Sequence, residues 1–223
     1  MNKTTVRVIT LVVGLLIGGT ARAQSTSPTD RPGVDLGIRV GYAIPVGNIS
    51  GAAGDGMNDN FWGAIPFVLE AAYRIDGAVS VGALFQYAIL QLKENTTTGC
   101  ENGVTCSGSV VRLGVQGAYH FVTRPTFSPW VGVGTGYEWM NINLSQGAAS
   151  VSSTARGFEF LTLHAGAEFR RSPHLSIGPF VSFSIARYET ETFETGGTST
   201  STDIADTAVH GWLQIGFRGV FSL

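Results

Sequence analysis

Apolar residues alternate with small or charged ones along eight stretches of the chain. The intervals between stretches run long, short, long, short, long, short, long. In residues 33–46, Val34, Leu36, Ile38, Val40, Tyr42 and Ile44 share one face of an extended strand, and Asp35, Gly37, Arg39, Gly41 and Ala43 share the other. A period of two marks a strand whose faces see different environments. The same rule predicts strands over about 61–75, 78–92, 109–123, 130–143, 156–170, 174–188 and 207–223. In the second, Phe61, Ile65, Phe67, Leu69 and Tyr73 oppose Glu70 and Arg74. In the sixth, Leu161, Leu163 and Phe169 oppose Phe160, Thr162, His164 and Glu168, and in the last, Trp212 falls off the apolar face. Residues 47–60, 93–108, 144–155 and 189–206 are polar and read as long loops, while Asp76-Gly77 is a hairpin turn signal. Eight such strands predict an all-β, antiparallel, up-and-down barrel.

Composition decides which face points outward. Charged residues make up 13% of the chain, against roughly 25% in ordinary soluble domains. The non-apolar faces carry glycine, serine and alanine with one or two charges per strand, too bare for a water-washed exterior. They suit the crowded lumen of a transmembrane barrel, whose apolar face meets lipid. Aromatic residues form two rows. Tyr42, Phe61, Trp62, Tyr87, Trp139 and Tyr188 mark one end, and Tyr73, Tyr119, Phe121, Phe169 and Phe221 the other, as expected at two membrane interfaces.

The first 23 residues read as a cleaved signal peptide. Lys3 and Arg7 precede an apolar run, and Ala21-Arg22-Ala23 is an A-x-A cleavage site. Residues 24–32 form a flexible lead-in, and 33–223 the barrel. Without the leader, 11 basic and 16 acidic residues remain, a balance that offers nucleic acid no basic field. In an exported chain Cys100 and Cys106 are expected to form a local disulfide.

The lumen faces gather a sign-balanced set: Asp35, Arg39, Glu70, Arg74, Arg112, Glu138, Glu168 and Arg218. Strand counting places Arg39 beside Glu70 and Arg112 beside Glu138, with Arg218 near Asp35 or Glu168. Paired charges avoid the several-kcal/mol penalty of a lone buried ion, so the set reads as a plug. A narrow conduit is the sharper alternative. His120, His164, His174 and His210 have neither metal-ligand nor triad spacing, so neither a metal nor a cofactor is expected. The acids Glu189, Glu191, Glu194, Asp203 and Asp206 match no calcium-loop pattern and read as a solvated loop.

The run Gly37-Ile38-Arg39-Val40-Gly41-Tyr42-Ala43-Ile44-Pro45, followed by Gly47, resembles the opening strand of small OmpA-like and OmpX-like outer-membrane barrel domains. The resemblance implies a monomeric, non-enzymatic barrel serving envelope integrity or surface interaction through four outer loops. The expected surroundings are the bacterial outer membrane, its lipid bilayer and lipopolysaccharide, with both termini periplasmic. The alternating aromatic last strand suits recognition by barrel-assembly machinery, although it ends in Leu223. Alternatives are an OmpW-like conduit for small solutes and a lipid A-modifying enzyme. His174-x-Ser176 is similar to the His-x-Ser arrangement of a lipid A deacylase, but it falls toward the periplasmic end.

Overall fold

The computed structural model describes residues 32–52, 55–94, 100, 103–121, 126–147 and 149–223. The expected signal peptide, most of the lead-in and residues 122–123 of the expected fourth strand lie outside the described residues. The strands are β1 (Gly33–Gly47), β2 (Phe61–Arg74), β3 (Val79–Leu92), β4 (Thr105–His120), β5 (Phe127–Gln146), β6 (Ala149–Arg170), β7 (Leu175–Thr195), β8 (Thr198–Asp203) and β9 (Val209–Ser222), with one helical turn, α1 (Met57–Asn60). Consecutive strands β1 to β7 pair antiparallel, and β9 closes the ring between β7 and β1. The result is a closed eight-stranded barrel, with β8 outside the ring on the edge of β7. Closure leaves no unsatisfied backbone edge inside the lipid region, the condition for crossing it with strands.

The solvent exposure of the two faces is inverted relative to a water-soluble barrel. Ile38, Leu69, Val115, Leu163 and Ile215 are each 50–58% exposed, whereas Arg39, Glu70, Arg112, Glu138 and Arg218 are at most 5% exposed. Apolar side chains therefore coat the outside and charges fill the inside. Short turns, the start of β1 and the C-terminus share one rim, the turn end, where the Leu223 amide donates to the Val34 carbonyl. The opposite rim is the loop end.

Two expected loops are largely strand. Residues 144–155 and 189–206 include the ends of β5, β6 and β7 and all of β8. A strand of about 9–11 residues spans a bilayer, but β5, β6 and β7 have 20, 22 and 21. Their surplus continues the sheet past the loop end. Gly196 and Gly197 make the β7–β8 turn with φ of 59° and 80°. Two consecutive positive values suit a two-residue hairpin whose twist matches its strands. The expected 47–60 loop contains α1.

Bulges change face assignments in β2 and β6. A register shift between Phe61 and Gly63 turns Phe61 inward, at 1% exposure, and Trp62 outward, at 66%. Shifts at Arg156/Gly157 and Glu159/Leu161 turn Glu159 inward and Phe160 outward. Gly157 fits the first of these because an added Cβ would lie 1.9 Å from the Arg187 carbonyl oxygen. Tyr188 also leaves the expected aromatic row: it is fully buried in the lumen. Tyr42, Trp62 and Tyr87 remain exposed toward the loop end, and Tyr73, Tyr119, Phe121, Phe169 and Phe221 toward the turn end.

Candidate functional site

The lumen gathers most of the buried charge among the described residues, and it is stacked in layers. Nearest the turn end, Arg74 on β2 donates to Asp35 on β1 through Nη2 (2.7 Å) and Nε (3.0 Å). Ser222 Oγ donates to the other Asp35 oxygen at 2.6 Å. His120 Nε2 lies 3.3 Å from Ser80 Oγ, and its Nδ1 lies 3.9 Å from Glu168 Oε2.

Glu70 is the centre of the next layer. It pairs with Arg39, accepts from Arg218 Nε at 2.7 Å and accepts from Gln116 Nε2 at 3.0 Å. Arg218 also pairs with Glu168. Arg39 Nη2 donates to Gln116 Oε1 at 3.1 Å, and its Nη1 lies 3.4 Å from His164 Nδ1. Both guanidiniums sit over the buried Trp130 ring, with Cζ at 5.3 Å (Arg39) and 4.6 Å (Arg218). Such stacking offers a desolvated cation a second partner. Arg39 and Arg218 are cross-strand partners on β1 and β9, so two like charges adjoin, and Glu70 and Glu168 neutralise them.

Above a Gln214–Gln86 hydrogen bond of 3.2 Å lies a third layer around Glu138 and Arg112, cross-strand partners on β5 and β4. Arg112 Nη2 donates to Glu138 Oε2 at 2.6 Å, and Arg112 Nε pairs with Glu159 Oε2 at 2.7 Å. Tyr188 donates to Glu138 Oε1, which also receives His210 Nε2 at 3.2 Å and Trp212 Nε1 at 3.4 Å. The Tyr188 and His210 rings stack with centroids 4.0 Å apart.

The structure thus groups the eight charges named from the sequence as Asp35–Arg74, Arg39–Glu70–Arg218–Glu168 and Arg112–Glu138. Asp35 pairs with Arg74, and Arg218 reaches Glu70 and Glu168. Sequence reasoning missed Glu159, whose inward turn depends on a bulge; the adjacent apolar pair Phe160-Leu161 was the available signal. It also missed Gln116, His210 and Tyr188 as partners. A further omission was apolar: Met57, Phe61, Leu90, Val110, Met140 and Trp212 belong to one buried cluster beneath the loops. Cys100 and Cys106 are bonded, 5.9 Å apart at Cα.

The arrangement can hold strands together and exclude water, since every lumen carboxylate has a cation or hydrogen-bond donor. His174, half of the His-x-Ser pair, sits at the turn end with Nδ1 2.9 Å from the Ser222 carbonyl oxygen.

Among solved structures, a major outer membrane protein from Thermus thermophilus is similar, with 14% identity, a TM-score of 0.59 and coverage of 86% of this chain and 99% of that one. The outer membrane protein AlkL is similar at 16% identity and a TM-score of 0.52, covering 93% of this chain and 98% of that one. Neisserial surface protein A matches at 14% identity and a TM-score of 0.49, over 85% and 98%. No curated protein matches in sequence. The sequence profile of the outer membrane protein beta-barrel domain matches residues 11–211. With a closed eight-stranded ring, a lipid-type exterior and that match over most of its length, the chain belongs to the outer membrane protein beta-barrel domain family.

Proposed function

We propose that the protein is a closed, non-conducting and non-enzymatic barrel of the bacterial outer membrane. It serves envelope integrity or surface contact through its loop end, with both termini periplasmic. One observation carries this reading: the lumen is filled twice over. Glu70 is held from three sides by Arg39, Arg218 and Gln116, and above it the apolar cluster around Met57, Phe61 and Trp212 seals the loop end. An eight-stranded barrel is just wide enough for its own side chains to fill. The outward apolar band fits the bilayer and the acyl chains of lipopolysaccharide, and the alternating, aromatic-bearing last strand fits engagement by barrel-assembly machinery during insertion. The barrel is complete within one chain, which supports a monomer.

Planar-bilayer recording on the purified protein is the test. The expected trace is flat, without unitary steps, in molar potassium chloride. Reproducible ohmic steps would overturn the closed-barrel reading. Mass spectrometry of lipid A from cells with and without the protein should show identical species, and a new or missing acyl chain would assign an enzyme instead.

A further inference from the structure

A cup lies at the loop end, directly above the apolar cluster. Its volume is about 490 Å³, within the roughly 300–1,000 Å³ of small-molecule sites. Phe61 and Met140, both members of the buried cluster, line it from below, and the partly buried Ile204 lines its wall. Four carboxylates also line it. Asp55 and Glu191 are half-buried, and Asp203 and Asp206 are exposed. Apolar surface thus lies deep and negative charge lies toward the mouth.

Three observations set this cup apart from an ordinary acidic loop. None of the four carboxylates pairs with a basic side chain among the described residues; Asp55 and Glu191 have only the hydroxyls of Ser50 and Ser153 as side-chain partners. Asn60 lines the cup and is 6% exposed; its Nδ2 donates to the Gly56 carbonyl at 3.1 Å, while its Oδ1 accepts from no described residue. The walls are also tied together. Ile49 N donates to the Asp55 carbonyl (2.9 Å), Gly51 N to that of Asp206 (2.7 Å) and Ile204 N to that of Glu189 (2.9 Å). Walls tied to one another in this way lower the ordering cost of binding. The carboxylates do not converge on an ion: among the described residues no group of three or more His, Cys, Asp or Glu could hold a metal.

We propose that this cup binds a small organic ammonium compound with an apolar alkyl or aryl body. The body lies on Phe61, Met140 and Ile204. The ammonium sits toward Asp55, Glu191, Asp203 and Asp206, with an N–H available to Asn60 Oδ1. Charge complementarity selects the cation, and the apolar floor selects an organic body over a hydrated metal ion. The inference rests on the loop end being the working end, but binding to purified protein depends on neither its orientation nor its conductance. Failure of one is therefore distinguishable from failure of the other.

The test uses the protein in lipid nanodiscs, with empty nanodiscs as reference. Three probes of one shape are titrated by calorimetry: 4-phenylbutylammonium, 4-phenylbutanol and 4-phenylbutanesulfonate. The expected result is saturable 1:1 binding of the ammonium, about tenfold or more tighter than the sulfonate, as opposite and like charge at one mouth require. The double variant Asp203→Asn/Asp206→Asn should weaken the ammonium about fivefold and leave the alcohol unchanged. Ile204→Ser should weaken all three probes. Heat-dependent gel mobility verifies that each variant is folded. Equal binding of the three probes overturns the proposal, as does binding no greater than to empty discs. Displacement by calcium chloride beyond that by sodium chloride of equal ionic strength would also overturn it, by assigning an inorganic cation site.

Discussion

Replacing Glu70 with glutamine isolates the electrostatic part of the central lumen layer, because the amide keeps the side chain's size. Glu70 has a side-chain exposure of 1%, and its partners Arg39 and Arg218 are each at 5%. Breaking a buried ion pair by removing one member costs about 3–5 kcal/mol, since the other charge remains desolvated. The structure narrows that range. Arg218 retains Glu168, whereas Arg39 loses its only ion-pair partner among the described residues, so the loss should lie near ~3 kcal/mol. The reciprocal change is milder: Arg39→Met leaves Glu70 bound to Arg218 and Gln116, and its loss of charged hydrogen bonds predicts about 1.5–3 kcal/mol. The double variant should be more stable than the sum of the single losses by about 1 kcal/mol or more, because the methionine removes the ion that Glu70→Gln strands. Equilibrium unfolding in urea, followed by tryptophan fluorescence in lipid vesicles, measures all three. If Glu70→Gln lost less than Arg39→Met, or the two losses simply added, the network would not be a coupled, desolvated unit.

Four further outcomes follow from the geometry. Tyr188→Phe keeps the ring stacked on His210 but removes the donor to Glu138; unfolding should show a loss of about 1–3 kcal/mol, whereas no change would mean that Glu138 is satisfied without it. Reducing the Cys100–Cys106 bond, whose sequence separation is 6, should lower stability by no more than about 2 kcal/mol on the loop-entropy argument, and reductant should leave the barrel's gel mobility folded. Asp76 accepts from the amides of Val79 (2.7 Å) and Ala78 (2.9 Å), which hold its carboxyl below the ordinary 3.8. Its turn contribution is thus complete above pH 3.8 and is lost as pH falls through the lowered value; a side-chain carboxyl NMR titration with a midpoint at or above 3.8 would contradict the turn. Finally, Met57→Ala/Phe61→Ala should remain non-conducting in planar bilayers because the Glu70 layer persists beneath it. Steps from that variant would mean that the apolar cluster alone seals the lumen.

Legibility from sequence followed the number of environments each segment meets. Where one face meets lipid and the other the lumen, alternation is strong, and the outward positions of Ile38, Leu69 and Ile215 and the inward ones of Arg39, Glu70 and Arg218 can be read directly. Where β5, β6 and β7 leave the membrane, both faces meet water. Ser and Thr then occupy successive positions, as in Ser152-Ser153-Thr154, and the period-two signal fades although the hydrogen-bonded ladder continues. Bulges were the second source of error, because one extra residue exchanges the faces of everything beyond it. Glu159, Phe160 and Phe61 lie at or beside such shifts. The apolar cluster was illegible for another reason. Met57, Phe61, Val110, Met140 and Trp212 come from five different elements and meet only when the ring closes.

The two kinds of filling suit the two depths at which they occur. Mid-lumen side chains are buried, so each charge needs its counter-charge within the layer, and the arginines, carboxylates and Trp130 supply partners across the ring. These contacts join residues distant in sequence, such as Glu70 with Arg218 and Arg39 with Gln116. They therefore fix how β1, β2, β4 and β9 face one another across the lumen, which the ladder between neighbours does not specify. Nearer the loop end, a charged layer would be open to competition from water and salt. An apolar cluster gains from the adjacent water instead, because exclusion from it is what drives its packing. The small faces of Ala43, Ala64, Ala88 and Ala155 leave room for Phe61, Met140 and Trp212 to meet. The charged layers thus set which strands oppose one another, and the apolar cluster packs over them toward the loop end. This division lets the loops above carry the carboxylates Asp203 and Asp206 at the water-facing mouth without coupling them to the charges that hold the barrel together.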